Sequence, residues 1–410
     1  MNLLNAHRLG TVLLHPHWLT AALSAAVFFQ FALNRGGVES AIWAAGILLC
    51  LHAAAGAYDP RTLPRRNLLF LAACGGTLLV SWVFAPEATD PARIGRIVKF
   101  AILVLAVGYL AQQRLGSRFR SWVTALTVAI VLWQFAVRHL TGSPYGTFAN
   151  PHYLAYFSAL LLPVLFMAAS WFERPYLYLV YVVVLVDLSL VFNELRKPTI
   201  PLLAIGAGLA AFGWSVAGRR VRWAVAALVI GLGGTTAVMV DNAQLGRLGL
   251  AAPSGDERTR IWADTLRMLR DNDAVDWLVG NGIGSFRNEF SGYFAPAFRD
   301  MPLPHNHALE LLYENGVVIA ALFVGFLAYL AWQSLRLAAS LADGDLRRLA
   351  RCNLALLAIW FVFSFLAFGV YSRYTLYPFG FLVGVFFFLM QASDNRAAGS
   401  APTNLTMQGC

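Results

Sequence analysis

The order of apolar runs limits what this chain can become more than any single motif does. Nine stretches of membrane length follow one another up to residue 240, a polar interval occupies 241–306, and three more apolar stretches follow it. A helix crossing a bilayer needs ~20 mostly apolar residues. On that rule the runs centre on 18–34, 39–57, 67–85, 94–112, 121–140, 151–171, 175–193, 198–217, 221–240, 307–335, 348–370 and 374–391. Hydrophobic residues make up 59% of the 410, charged residues 13%, and the mean hydropathy is +0.61. A soluble core of this length has no place for so much apolar surface, so most of it must face lipid. The expected fold is an all-α polytopic membrane protein of about twelve transmembrane helices. Residues 1–240 hold helices one to nine, 241–306 form an outer segment with short helices, 307–392 hold helices ten to twelve, and 393–410 are a disordered cytoplasmic tail.

Orientation follows from arginine and lysine. With the N-terminus inside, sixteen of them fall in cytoplasmic segments and six in short outer loops. The positive-inside rule then puts both termini in the cytoplasm and 241–306 outside, and a long segment crosses despite its charge. The net charge of +10 does not signal nucleic acid, because the basic residues are dispersed and no basic run is interleaved with aromatics. It reads as topology signal plus an anionic substrate. Cys50, Cys74 and Cys352 lie in apolar runs and Cys410 is the last residue, a pattern with neither a disulfide framework nor a metal-binding spacing. No acidic cluster suggests a divalent ion, so neither metal nor cofactor is expected.

Several basic residues break the topology rule. Arg93, Arg96 and Lys99 recur every three residues at the outer end of the fourth run and share roughly one helix face. A charge at mid-membrane costs about 2.5–3.5 kcal/mol, less near an end where the side chain can reach the headgroups. Two readings stand: snorkelling, or a cationic site for phosphate. Arg196-Lys197-Pro198 occupies a short outer turn, where Arg196 can face the outer vestibule and bind phosphate or glycan. Asn150-Pro151 opens the sixth helix as N-cap and first helical residue.

The outer segment carries most of the remaining polar chemistry. Ser254-Gly255-Asp256-Glu257 fits a capping box, which predicts a helix from Glu257 to Asp271. At 100° steps Trp262, Leu266 and Leu269 share a face with Arg258. Arg260 and Arg267 lie opposite, spaced to pair with Asp264 and Asp271. An arginine on an apolar face needs an anion, and its planar fork suits a phosphate. The glycines of Gly280-Asn281-Gly282-Ile283-Gly284 predict a tight turn with close backbone approach rather than a nucleotide loop, since no βαβ unit surrounds them. Pro304-His305-Asn306-His307 leads into the tenth helix, where His307, Glu310 and Glu314 share a face and can pair. His305 precedes the helix and suits proton transfer.

In this order, Gly146-Thr147-Phe148-Ala149-Asn150-Pro151, Arg196, Arg258-x-x-x-Trp262, Gly280-x-Gly-x-Gly-x-Phe286, His305-Asn306-x-x-Leu309-Glu310 and Glu314-Asn315-Gly316 resemble the O-antigen ligase and O-antigen polymerase superfamily. The resemblance covers about residues 140–320. It departs at Leu195-Arg196-Lys197 and at His152, where the family has Ser-Arg-Gly-like and Asn-Pro-Asn runs. It implies a GT-C-like fold in the bacterial inner membrane with the active site facing the periplasm. The reaction implied is inverting and metal-independent. A glycan moves from undecaprenyl pyrophosphate to a sugar hydroxyl of lipid A–core. His305 is then the general base. Arg258, Arg196, Arg260, Arg96 and Lys99 would hold the pyrophosphate, with Asn306 and His307 beside the substrates. A polymerase or a protein O-oligosaccharyltransferase shares most of these features. A transporter would need two related halves, and 1–200 and 201–410 show no convincing repeat.

Overall fold

A computed structural model describes residues 16–33, 37–55, 65–85, 89–114, 117–142, 147–148, 151–172, 180, 184, 199–216, 257–290, 293, 304–342 and 344–397. All regular structure among them is helical. In chain order the α-helices are α1 (Pro16–Phe28), α2 (Gly37–Ala54), α3 (Arg65–Phe84), α4 (Pro91–Arg114), α5 (Ser117–Leu140), α6 (Pro151–Phe172), α7 (Thr199–Val216), α8 (Glu257–Asp271), α9 (Ala274–Val279), α10 (Ser285–Glu289), α11 (His307–Ser340), α12 (Gly344–Leu366) and α13 (Arg373–Ala397).

Six helices among the described residues are long and apolar enough to cross a membrane: α2, α5, α6, α11, α12 and α13. The all-α membrane architecture is therefore present, with six rather than twelve spans of membrane length among the described residues. α4 is 24 residues long but carries Arg93, Arg96 and Lys99. α3 and α7 keep their full helical lengths, but their described apolar stretches cover only Ala72–Phe84 and Leu203–Phe212, the adjoining side chains lying outside the described residues. The first run becomes α1 followed by a π-helical turn, Phe29–Leu33. That turn leaves carbonyls unpaired by the helix, and Gln134 Nε2 donates to two of them, Phe31 O at 3.0 Å and Ala32 O at 2.8 Å. The expected spans at 175–193 and 221–240 lie outside the described residues, apart from 180 and 184. The tail boundary also moves, because α13 continues past Ser393 to Ala397.

The bundle core is aromatic. Trp360 and Phe379 stack at 4.0 Å, Phe100 and Phe379 at 5.6 Å, and the Trp360 indole donates to Thr375 O at 2.8 Å. α13 lies along α4, and α12 along α7. Gly380 and Gly384 allow the first contact: a Cβ on Gly384 would sit 2.8 Å from the Val107 Cβ, and one on Gly380 3.1 Å from the Leu103 Cβ. Small residues let membrane helices approach this closely, and packing rather than water expulsion then holds them.

The polar interval forms a helix where the sequence predicts one. α8 spans Glu257–Asp271, and α9 and α10 follow. Asp273 caps α9, accepting from Val275 N and Asp276 N at 2.8 Å each. Ile261, Met268 and Leu269 of α8 bury themselves with Phe286, Phe290 and Tyr313. This corrects the expected apolar face: Leu266 is 56% exposed and Trp262 only half-buried. The face is set by Ile261, Thr265 and Met268, about one residue round the helix from the pattern read off the leucines. The ion pairs shift too. Asp264 is buried and pairs with Arg267 at 3.0 Å, three residues on, instead of with Arg260.

Candidate active site

The site begins where α11 begins. Asn306 takes an extended conformation (φ −150°, ψ 112°) and its side-chain oxygen accepts from Ala308 N at 3.0 Å and Leu309 N at 3.2 Å. An Asn side chain here satisfies amides that the helix leaves without partners. Asn306 thus starts the helix, a task its sequence position did not reveal. His305, one residue earlier, has φ +49° and is the one non-glycine with positive φ among the described residues. Such a conformation costs of order 1–3 kcal/mol and persists only where the surroundings impose it. Two contacts hold it. His305 Nδ1 lies 2.9 Å from Ala367 O, in the turn between α12 and α13. The Trp262 indole of α8 donates to Pro304 O at 2.9 Å. A carbonyl only accepts, so Nδ1 carries the proton and Nε2 is the basic nitrogen of the ring.

His307 does not pair with Glu310 and Glu314. It is buried, with Nδ1 3.1 Å from Ser364 O, and its ring packs near Trp360, Phe323 and Phe365. The carboxylates face a stronger partner. Arg93 Nη1 donates to Glu314 Oε1 at 2.6 Å and Oε2 at 2.8 Å, and to Glu310 Oε1 at 3.2 Å. The three side chains are 6%, 0% and 1% exposed. Charged groups of opposite sign in membrane-length helices meet for this reason: each is costly without the other. Arg93 is therefore an internal counter-ion, and the signal was available in the acidic pair spaced by four residues opposite an arginine near a helix end.

The rest of the basic stripe divides. Lys99 is buried, and its ammonium lies 2.6 Å from Glu39 Oε2. Arg96 is half-buried and donates to Tyr371 O at 3.0 Å. Arg373 starts α13, half-buried, with Nη2 3.0 Å from the Tyr374 hydroxyl. Arg260 is exposed on α8. Arg258 lies in the first turn of α8, with its side chain outside the described residues, and Arg196 lies outside them altogether. The structure thus brings His305, Asn306, His307 and Arg96 around the α11 start and the α12–α13 turn, with α8 tied in through Trp262.

The Gly-rich turn fixes the helices α8–α10 to the bundle. Gly280, Gly282 and Gly284 have φ of 82°, 96° and 108°, and Gly316, in the middle of α11, has φ 70°. Gly316 interrupts the helix and frees carbonyls one turn before it. Asn281 N donates to Tyr313 O and Gly282 N to Glu314 O, each at 3.0 Å. The backbones of Leu278–Gly280 and Glu314–Gly316 then lie so close that no Cβ fits at Gly280 or Gly316. On the other side, Ile283 is fully buried in the bundle core, its amide bound to Ser81 Oγ at 2.8 Å and its carbonyl to Asp90 N at 2.7 Å. At the far end of α8, partial burial and then the Asp271 and Glu289 carboxylates raise the Tyr293 phenol above its usual range.

Among the described residues no group of three His, Cys, Asp or Glu side chains converges as a metal-binding set. What the arrangement offers chemically is a fixed imidazole with a defined proton-accepting nitrogen at the start of an apolar helix, with arginines on neighbouring elements. No protein-family model matches the chain, and no curated protein matches it.

Proposed function

We propose that this chain is an inverting glycosyltransferase of the O-antigen ligase kind, moving a glycan from undecaprenyl pyrophosphate to a sugar hydroxyl of lipid A–core. The observation that carries this reading is the constrained His305. Its positive φ is imposed by the bundle, and its tautomer is fixed by Ala367 O. A general base needs its accepting nitrogen held in one place and one tautomer. The acceptor hydroxyl loses its proton to His305 Nε2 as its oxygen bonds to the anomeric carbon. The bond from that carbon to the phosphate oxygen breaks on the opposite face, so configuration inverts. Undecaprenyl pyrophosphate leaves with the bonding pair. Arginine donors aimed at the leaving phosphate stabilise charge that grows in the transition state. Arg258, Arg196 and Arg96 fill that role in this reading, while Lys99 has its charge met by Glu39. The topology that goes with it has both termini in the cytoplasm and 241–306 in the periplasm.

The test is complementation of a ligase-deficient host with the wild type and His305→Ala, reading lipopolysaccharide on gels with protein level controlled. Restored long-chain lipopolysaccharide from the wild type, lost in His305→Ala, supports the reading. Full function of His305→Ala removes His305 as base. A well-expressed wild type that fails, but lengthens lipid-linked glycans or glycosylates a co-expressed acceptor protein, makes the chain a polymerase or a protein O-oligosaccharyltransferase.

A further inference from the structure

The turn between α12 and α13 holds His305, and something must hold the turn. Four elements do. Thr375 of α13, fully buried, donates its hydroxyl to Gly369 O at 2.8 Å. Arg96 of α4 donates to Tyr371 O at 3.0 Å. The Tyr371 hydroxyl donates to Asn315 Oδ1 of α11. Glu310 Oε2, also of α11, accepts from the Val370 amide at 2.6 Å. Val370 is three residues from Ala367, and Glu310 is one helical turn from the Asn306 cap. Glu310 therefore joins the two backbone segments between which the imidazole is suspended.

Glu310 has an alternative employment as a counter-ion to Arg93. The distances argue that this is the lesser one. Arg93 is already engaged by both oxygens of Glu314, at 2.6 and 2.8 Å, and reaches Glu310 only at 3.2 Å. The shorter bond of Glu310 goes to the turn. A carboxylate accepting a backbone amide is among the stronger hydrogen bonds a protein makes, and burial strengthens it. Gly369 shows how close the fit is: the Glu310 carboxylate occupies the place a Cβ on residue 369 would take.

We propose that Glu310 is a positioning residue for His305. By accepting the Val370 amide it fixes the α12–α13 turn, whose Ala367 carbonyl holds the imidazole and selects the tautomer protonated on Nδ1. The inference rests on the reading of His305 as the base, but its principal test does not require transfer activity.

The test is nitrogen NMR of histidine-labelled protein in nanodiscs, the His305 signals being those lost in His305→Ala. The wild type shows the tautomer protonated on Nδ1. Glu310→Asp keeps the charge beside Arg93 but draws the carboxylate back by about 1.5 Å, so the Val370 bond breaks. The expected result is a mixture of His305 tautomers, with kcat for transfer lowered up to about 100-fold while KM stays within roughly two-fold. Glu310→Gln keeps an oxygen for the Val370 amide and keeps the wild-type tautomer. If Glu310→Asp does not fold, Gly369→Ala displaces the same carboxylate from the turn and gives the same mixture. A folded Glu310→Asp or Gly369→Ala with wild-type His305 signals overturns the proposal. A changed tautomer with unchanged transfer leaves the positioning role standing and removes His305 as base.

Discussion

Replacing Arg93 by methionine isolates the buried ion cluster. The substitution keeps an apolar stem and removes the guanidinium, leaving Glu310 and Glu314 at 1% and 0% exposure without their cation. Removing one partner of a buried pair costs about 3–5 kcal/mol, because the remaining charge is uncompensated. The Val370 amide still binds Glu310, which keeps the loss near the lower end, roughly 3 kcal/mol. Asp90, 3.8 Å from Arg93 Nε and 37% exposed, adds little. Glu314→Gln in the same chain removes one orphaned charge, so the double variant recovers about 1–3 kcal/mol relative to additivity. The assay is equilibrium unfolding in mixed detergent micelles with increasing dodecyl sulfate, followed by tryptophan fluorescence. An Arg93→Met protein within about 0.5 kcal/mol of wild type would refute the cluster as a stabilising element. An effect confined to donor KM, with stability unchanged, would return Arg93 to the phosphate-binding role its place in the basic stripe suggests.

Gly316→Ala is expected to lower the yield of folded protein severely, since φ 70° strains any side chain by about 1–2 kcal/mol and the Leu278–Gly280 backbone occupies the Cβ position; size-exclusion profiles and thermal unfolding check it, and a wild-type profile would remove the interlock as a constraint. Lys99→Met is expected to destabilise while Lys99→Met with Glu39→Gln approaches wild type, because the 2.6 Å pair is severed in the first and deleted in the second; equal losses in the two variants would mean that Lys99 acts on something other than Glu39.

The membrane-type helices, the limits of α8, the start of α11 at His307 and the close backbone approach at the Gly-x-Gly-x-Gly turn were legible because each has a local cause. Apolar length, a proline-led approach and glycine spacing are properties of short windows, while the capping residues Ser254–Asp256 lie outside the described residues. What was not legible depends on partners far along the chain. The helix face shared by His307, Glu310 and Glu314 suggested a local pairing, yet the carboxylates went to Arg93 and the histidine to Ser364 O. Leu266 looked apolar in a one-dimensional pattern and is exposed, because Phe286 and Tyr313 arrive on the Ile261 side of α8. Asn306 read as a substrate contact, and its side-chain oxygen caps α11.

The ion cluster has a consequence for synthesis. Arg93 precedes Glu310 by 217 residues and Glu314 by 221. At about 5–20 residues per second, roughly 10–40 s separate the emergence of the arginine from that of its carboxylates. During that interval α4 stands at the membrane with a cation whose partners do not yet exist, tolerable only because residue 93 lies in the first turn, within reach of headgroups. The cluster can form only once α11 has been made, so this part of the bundle is completed late in synthesis.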